Sequence, residues 1–152
     1  QVVTGNYGME IEAKSINNAF GPKVSNITLT RAAGTVTEGG ASANEFDAIQ
    51  FKKEGNGEYT NVVISGYTTS NTTLTATAVR IQDKSTNDNQ VTGGKIKMFN
   101  VKINDGTSQF AGVGTTFTVA FPTGNYTTST TATGATLTAG AWAIVDGVSL
   151  IK

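Results

Sequence analysis

Histidine and cysteine are both absent from the 152 residues of this chain, and proline is held to 2. Histidine is the commonest general base and metal ligand near neutral pH, and cysteine is the usual alternative nucleophile or soft ligand. Their absence excludes Ser-His-Asp and Cys-His catalysis, zinc sites and thiol redox chemistry. Charge is also scarce and balanced, with 11 basic and 11 acidic side chains. Nucleic-acid binders carry a basic stripe, because phosphate contacts dominate that affinity. The densest basic cluster here, Lys95, Lys97 and Lys102, falls in an alternating stretch and reads as the wet face of a strand. No run of 18 apolar residues exists to span a membrane. These absences predict a protein without enzymatic activity or cofactor.

Threonine is what the chain has in excess. It contributes 26 residues, beside 18 glycines and 13 asparagines. Threonine is β-branched and favours strands while remaining polar without charge. The length fits one domain, spanning residues 1–152. The chain begins at Gln1, as expected after removal of an export signal. Three Asn-x-Ser/Thr sequons, at Asn26, Asn71 and Asn125, fit an extracellular setting and are candidate glycosylation sites.

Period-two alternation recurs throughout. Val3, Gly5, Tyr7, Met9 and Ile11 share one face of the N-terminal segment, and Ile27 and Leu29 follow. An apolar run from Tyr59 to Ile64 holds Val62, Val63 and Ile64; Leu74, Ala76 and Ala78 resume the alternation, and Phe117, Val119 and Phe121 form its cleanest instance. Around Met98–Phe99 the apolar parity switches, which predicts a bulge or a crossing between sheets. Turn signals separate the runs: Gly21-Pro22, Gly39-Gly40, Asn56-Gly57, Gly93-Gly94 and Asp105-Gly106. Glu54–Glu58 between two apolar runs predicts a hairpin. Eight or nine short strands so spaced predict an all-β, two-sheet β-sandwich of jelly-roll or immunoglobulin-like kind. Helix is confined to at most one turn near Ala41–Asp47.

Candidate chemistry is thin. Glu10 with Glu12, and Glu45 with Asp47, are carboxylate pairs of the kind acid-base hydrolysis requires, but they read equally as polar strand faces. Asp83, Asn87 and Asp88 offer hard oxygen ligands suited to calcium, although their spacing matches no known calcium loop and an Asn/Asp turn is the simpler reading. Lys14 beside Glu10 or Glu12 would suit an isopeptide bond if it were buried. Tyr59, Tyr67 and Tyr126 would form a sugar-stacking platform if they shared a face, while the alternation around Trp142 places that residue in the core.

Two features point to assembly. Between Gly106 and Ile151 the one side chain charged at neutral pH is Asp146; such a span is either a solvated low-complexity loop or a surface that lies against neighbouring subunits. The N-terminal segment, residues 1–7 or 1–13 at its longest, is extended and alternating, and suits a donor strand that completes the sheet of another subunit. Its small Gly5 among large residues would fix register.

A Cys-free, Thr/Asn/Gly-rich β domain of this length, with an extended N-terminal arm and sequons, resembles the donor-strand filament proteins of prokaryotic surfaces. These are the TasA/camelysin-like biofilm fibres and the related archaeal threads and bundling pili. The resemblance implies a secreted, glycosylated homopolymer in which each N-terminal arm enters the next subunit's groove, with the chain itself as its partner and no nucleic acid. The competing expectations are a monomeric carbohydrate-binding or adhesin module and a viral tail-tube or decoration subunit.

Overall fold

The computed structural model describes residues 8–15, 18–31, 47–67, 77–104, 108–112, 117–136, 144–145 and 148–149, with backbone alone for 108–112 and the last two pairs. The strands are β1 (Met9–Glu12), β2 (Lys23–Thr30), β3 (Ile49–Lys52), β4 (Gly57–Ser65), β5 (Thr77–Ile81), β6 (Ile96–Ile103), β7 (Ser108–Gly112), β8 (Tyr126–Thr128), β9 (Ile144–Val145) and β10 (Val148–Ser149). One short helix, α1 (Lys84–Thr86), runs on into a π-helical turn at Asn87–Val91. Among the described residues no helix is long and apolar enough to cross a membrane.

Strands β1, β3, β5 and β7 form one sheet in that order, and β2, β4, β6 and β8 form a second. Every pair in both sheets is parallel. A separate antiparallel pair joins β9 and β10. Successive strands up to β8 thus alternate between the two sheets, each turn of chain adding one strand to each. The connection between parallel neighbours needs a dozen or more residues, and here the other sheet supplies them. The chain winds as a coil of the β-helical kind.

This overturns the sandwich expectation. Parallel pairing is the strand direction of α/β proteins, and neither a jelly roll nor an immunoglobulin-like sandwich is built from it. Alternation fixes which side chains face inward but not the direction of the neighbouring strand, so a half-buried strand reads alike in both. The expected hairpin at Glu54–Glu58 fails for the same reason. The turn is present, with Lys53 and Glu54 at φ 47° and 60°, but it carries the chain from β3 in one sheet to β4 in the other. The expected helical turn at 41–46 lies outside the described residues.

The core is stacked in rows along the coil. Met9, Ile49 and Val79 stand in register, as do Ile11, Phe51 and Ile81. From the second sheet, Val24, Tyr59 and Met98 form a row, then Ile27, Val62 and Val101, then Leu29, Ile64 and Ile103. Phe51 and Tyr59 meet edge to face between the sheets, with centroids 5.6 Å apart. Burial of the Tyr59 ring pushes its phenol up to about 12, and its hydroxyl donates to the Asn56 carbonyl at 3.2 Å. Phe117, Val119 and Phe121 do alternate inward, packing against this core, in a stretch that lies outside the strands.

Candidate functional site

The predicted parity switch is real, and it occurs three times. In β2, β4 and β6 the inward positions change parity at a single asparagine, Asn26, Asn61 and Asn100, with φ of 59°, 57° and 57°. The registers on either side place the three opposite one another. Asparagine tolerates the left-handed region better than other residues with a side chain, so each strand bulges at the same level. Asn61 donates its side-chain amide to Asn26 Oδ1 at 2.8 Å, and Asn100 donates to Asn61 Oδ1 at 3.4 Å. In β8 Thr127 takes over: its hydroxyl accepts from the Asn100 backbone amide at 3.0 Å, and the register shifts between Met98 and Val101.

The threonine-rich segment after β8 crosses the outer face of this sheet. Ser129 N donates to Val101 O on β6 at 2.9 Å. Thr133 N and Gly134 N then donate to Asn61 Oδ1 at 3.0 and 3.2 Å, and Ala135 N reaches Thr28 Oγ1 on β2 at 2.9 Å. The segment is a strap over the sheet, with Ala132 buried. Gly134 fits because it sits at φ 66° and a Cβ there would stand 2.2 Å from Thr28 Oγ1. The strap, part of the uncharged span, is thus tied to its own sheet through backbone amides, while Thr130, Thr131, Thr133, Ala135 and Thr136 remain exposed on its outer side.

A second polar cluster joins β3, β4 and the helix. Asp83 caps α1, accepting from Thr86 N at 2.8 Å, Ser85 Oγ at 2.7 Å and Lys53 N at 2.9 Å. Burial raises the Asp83 carboxyl, but the bonds from Ser85, Thr86 and Lys53 outweigh it and hold the group below its ordinary value. The buried Glu54 carboxylate accepts from Asn89 at 2.7 Å and Gln90 at 3.1 Å. Asp88 pairs with Lys84. The calcium candidates Asp83, Asn87 and Asp88 are thus side chains of a capped helical turn, and no metal-holding group of three acidic residues occurs among the described residues.

The other candidates disperse. Glu10 and Glu12 both pair with Lys52, and Glu12 with Lys53 as well. Asp47 is buried against Arg80 and accepts from the Thr77 amide at 2.8 Å; Glu45 lies outside the described residues. Lys14 is exposed rather than buried. Tyr59 and Tyr67 are buried and Tyr126 is half-buried, so they form no platform; Trp142 lies outside the described residues. Of the proposed donor strand, Met9 and Ile11 belong to β1, paired with β3 of the same chain, and Val3, Gly5 and Tyr7 lie outside the described residues. Of the sequons, Asn26 is exposed on β2, Asn125 is half-buried in the turn before β8, and Asn71 lies outside the described residues.

Alternation along single strands missed the signal that finds this site. The segments Val24–Thr30 (VSNITLT), Tyr59–Ser65 (YTNVVIS) and Met98–Asn104 (MFNVKIN) share one pattern, apolar-x-Asn-apolar-x-apolar, recurring after 35 and then 39 residues, and internal self-similarity of this kind marks wound architectures.

Compared with known protein families, curated proteins and solved structures, the chain matches none.

Proposed function

We propose that the protein is a structural subunit of an extracellular filament, assembled by end-on stacking of coils. The observation that carries this reading is the pair of open ends. Among the described residues, the outer edges of β1 and β2 at one end, and of β7 and β8 at the other, have no partner strand. An unpaired edge is a template for another chain. All strands within each sheet run the same way, so a copy moved along the coil axis offers its last strands to the first strands of the next. Such a contact is heterologous and open, which gives a line rather than a closed ring.

The asparagine row supports the same direction of growth. Its side-chain donors point from Asn100 to Asn61 to Asn26, and Asn26 is exposed at the end of the row. The sequons support the extracellular setting. Growth by strand addition at the β1/β2 end takes the place of an arm entering a sandwich groove, because the two described four-stranded sheets are parallel.

Sedimentation across a concentration series tests the reading. Mass should grow with concentration in whole multiples of the monomer. Ser25→Lys, on the exposed β2 edge, should leave the monomer folded and suppress that growth, since edge lysines disfavour strand addition. A chain that stays monomeric at every concentration, or a Ser25→Lys variant that assembles unchanged, overturns it.

A further inference from the structure

We propose that the cleft at the start of β2, β4 and β6 binds the carboxylate of an acidic sugar, and that the protein thereby holds an acidic polysaccharide. The cavity has a volume of about 250 Å³ and is lined by Lys23, Lys95, Lys97 and Glu58. Register places Lys23 opposite Glu58 and Glu58 opposite Lys97, so the charges form one row across three strands. Glu58 pairs with Lys23 at 3.6 Å. Lys95 donates to the Asn18 carbonyl at 3.2 Å, tying the cleft to the arc before β2. The Lys97 side chain has no ion-pair or hydrogen-bond partner among the described residues. Three ammonium groups against one carboxylate make a local positive excess in a chain whose net charge is zero.

The neighbouring side chain gives the ligand its class. Phe20, between the cleft-lining Ala19 and Gly21, is 88% exposed, and no other large hydrophobic is exposed among the described residues. Phe20 does not line the cleft itself but is joined along the chain to two residues that do, and an exposed aromatic ring there suits a sugar chain that stacks an apolar pyranose face on it while a carboxylate reaches the lysines. The cavity is smaller than the ~300–1,000 Å³ that encloses a drug-sized ligand, which fits one charged ring of a longer chain. Its lining comes from β2, β4 and β6 of one chain, so the cleft does not depend on assembly; in a filament it would recur once per subunit and gain by multivalency.

Calorimetry on dilute, monomeric protein tests this with three probes: a hyaluronan oligosaccharide, a dextran oligosaccharide of equal length, and poly-glutamate of equal charge. The hyaluronan oligosaccharide should bind and weaken as salt rises, and dextran should not bind. Lys97→Gln should weaken binding about two- to fivefold, the range of an exposed ion pair, and Phe20→Ala about two- to tenfold, the range of an aromatic contact. Circular dichroism checks that both variants keep the fold. Equal binding of dextran removes the role of charge, equal binding of poly-glutamate removes the role of the sugar, and either overturns the proposal. So does an absence of hyaluronan binding, or unchanged affinity in Lys97→Gln.

Discussion

Asn61 donates its side-chain amide to Oδ1 of Asn26 across the β2–β4 pair at 2.8 Å, and both residues hold left-handed backbone. The side chain and the backbone conformation contribute separately, so two substitutions separate them. Asn61→Ala removes the amide's hydrogen bonds and puts a methyl group at φ 57°; it should cost about 2–4 kcal/mol. Asn61→Gly loses the same bonds but accepts the conformation, and should cost about 1–3 kcal/mol. Urea denaturation should rank alanine as the more damaging. The reverse order would mean that the left-handed bulge carries no strain.

Gly134 should be the weak point of the strap. Gly134→Ala places a methyl group against Thr28 Oγ1 at a position with φ 66°. The expected result is faster protease cleavage within residues 129–136, with the far-ultraviolet circular dichroism of the coil retained. Unchanged cleavage would mean that the strap is not held by its close approach to β2.

Much of the local structure was legible in the sequence. The alternation placed Ile27 and Leu29 on an inward face, whereas the unbroken run Val62, Val63 and Ile64 did not show that Val62 and Ile64 alone are buried; the parity switch near Met98–Phe99 marked the bulge that the structure centres on Asn100. Strand direction was not legible from single strands, because inward and outward faces alternate alike in parallel and antiparallel pairs. The turn at Glu54–Gly57 has hairpin chemistry, yet it serves as a corner between sheets, and only the recurrence of apolar-x-Asn-apolar-x-apolar distinguishes the two. Asp83 looked like an ion ligand because a helix cap and a calcium loop draw on the same oxygen-bearing side chains. Phe20 was overlooked because it belongs to no periodic run.

Asp83→Ala should destabilise the protein by about 1 kcal/mol, the usual loss of an N-cap, and Asp83→Asn by less, since asparagine also caps. Hydrogen bonds hold the Asp83 carboxyl below its ordinary value of 3.8, so the folded state favours the charged form. Its contribution is complete above that value and is lost as pH falls through the lowered folded value. Acid titration of the wild type and Asp83→Asn should therefore converge at low pH. A constant difference between the two curves would assign the effect to packing instead.

Tyr59 carries the opposite linkage. Its phenol is raised from 10.0 to about 12 by burial, so the folded state keeps the proton longer than the unfolded chain does. Stability from this group is intact below pH 10 and falls as pH rises toward 12. Tyr59→Phe should flatten that alkaline decline, as measured by urea denaturation from pH 9 to 11.5. An equally steep decline in the variant would place its origin elsewhere.

Electron microscopy with fibre diffraction of concentrated protein tests the central claim most directly. Among the described residues each sheet of the coil has four strands, and strands are spaced about 4.8 Å apart, so end-on stacking of these rungs predicts filaments with an axial rise of about 19 Å per subunit and a meridional reflection near 4.8 Å. Filaments with a markedly longer rise and no such reflection, or no filaments at any concentration, would contradict it.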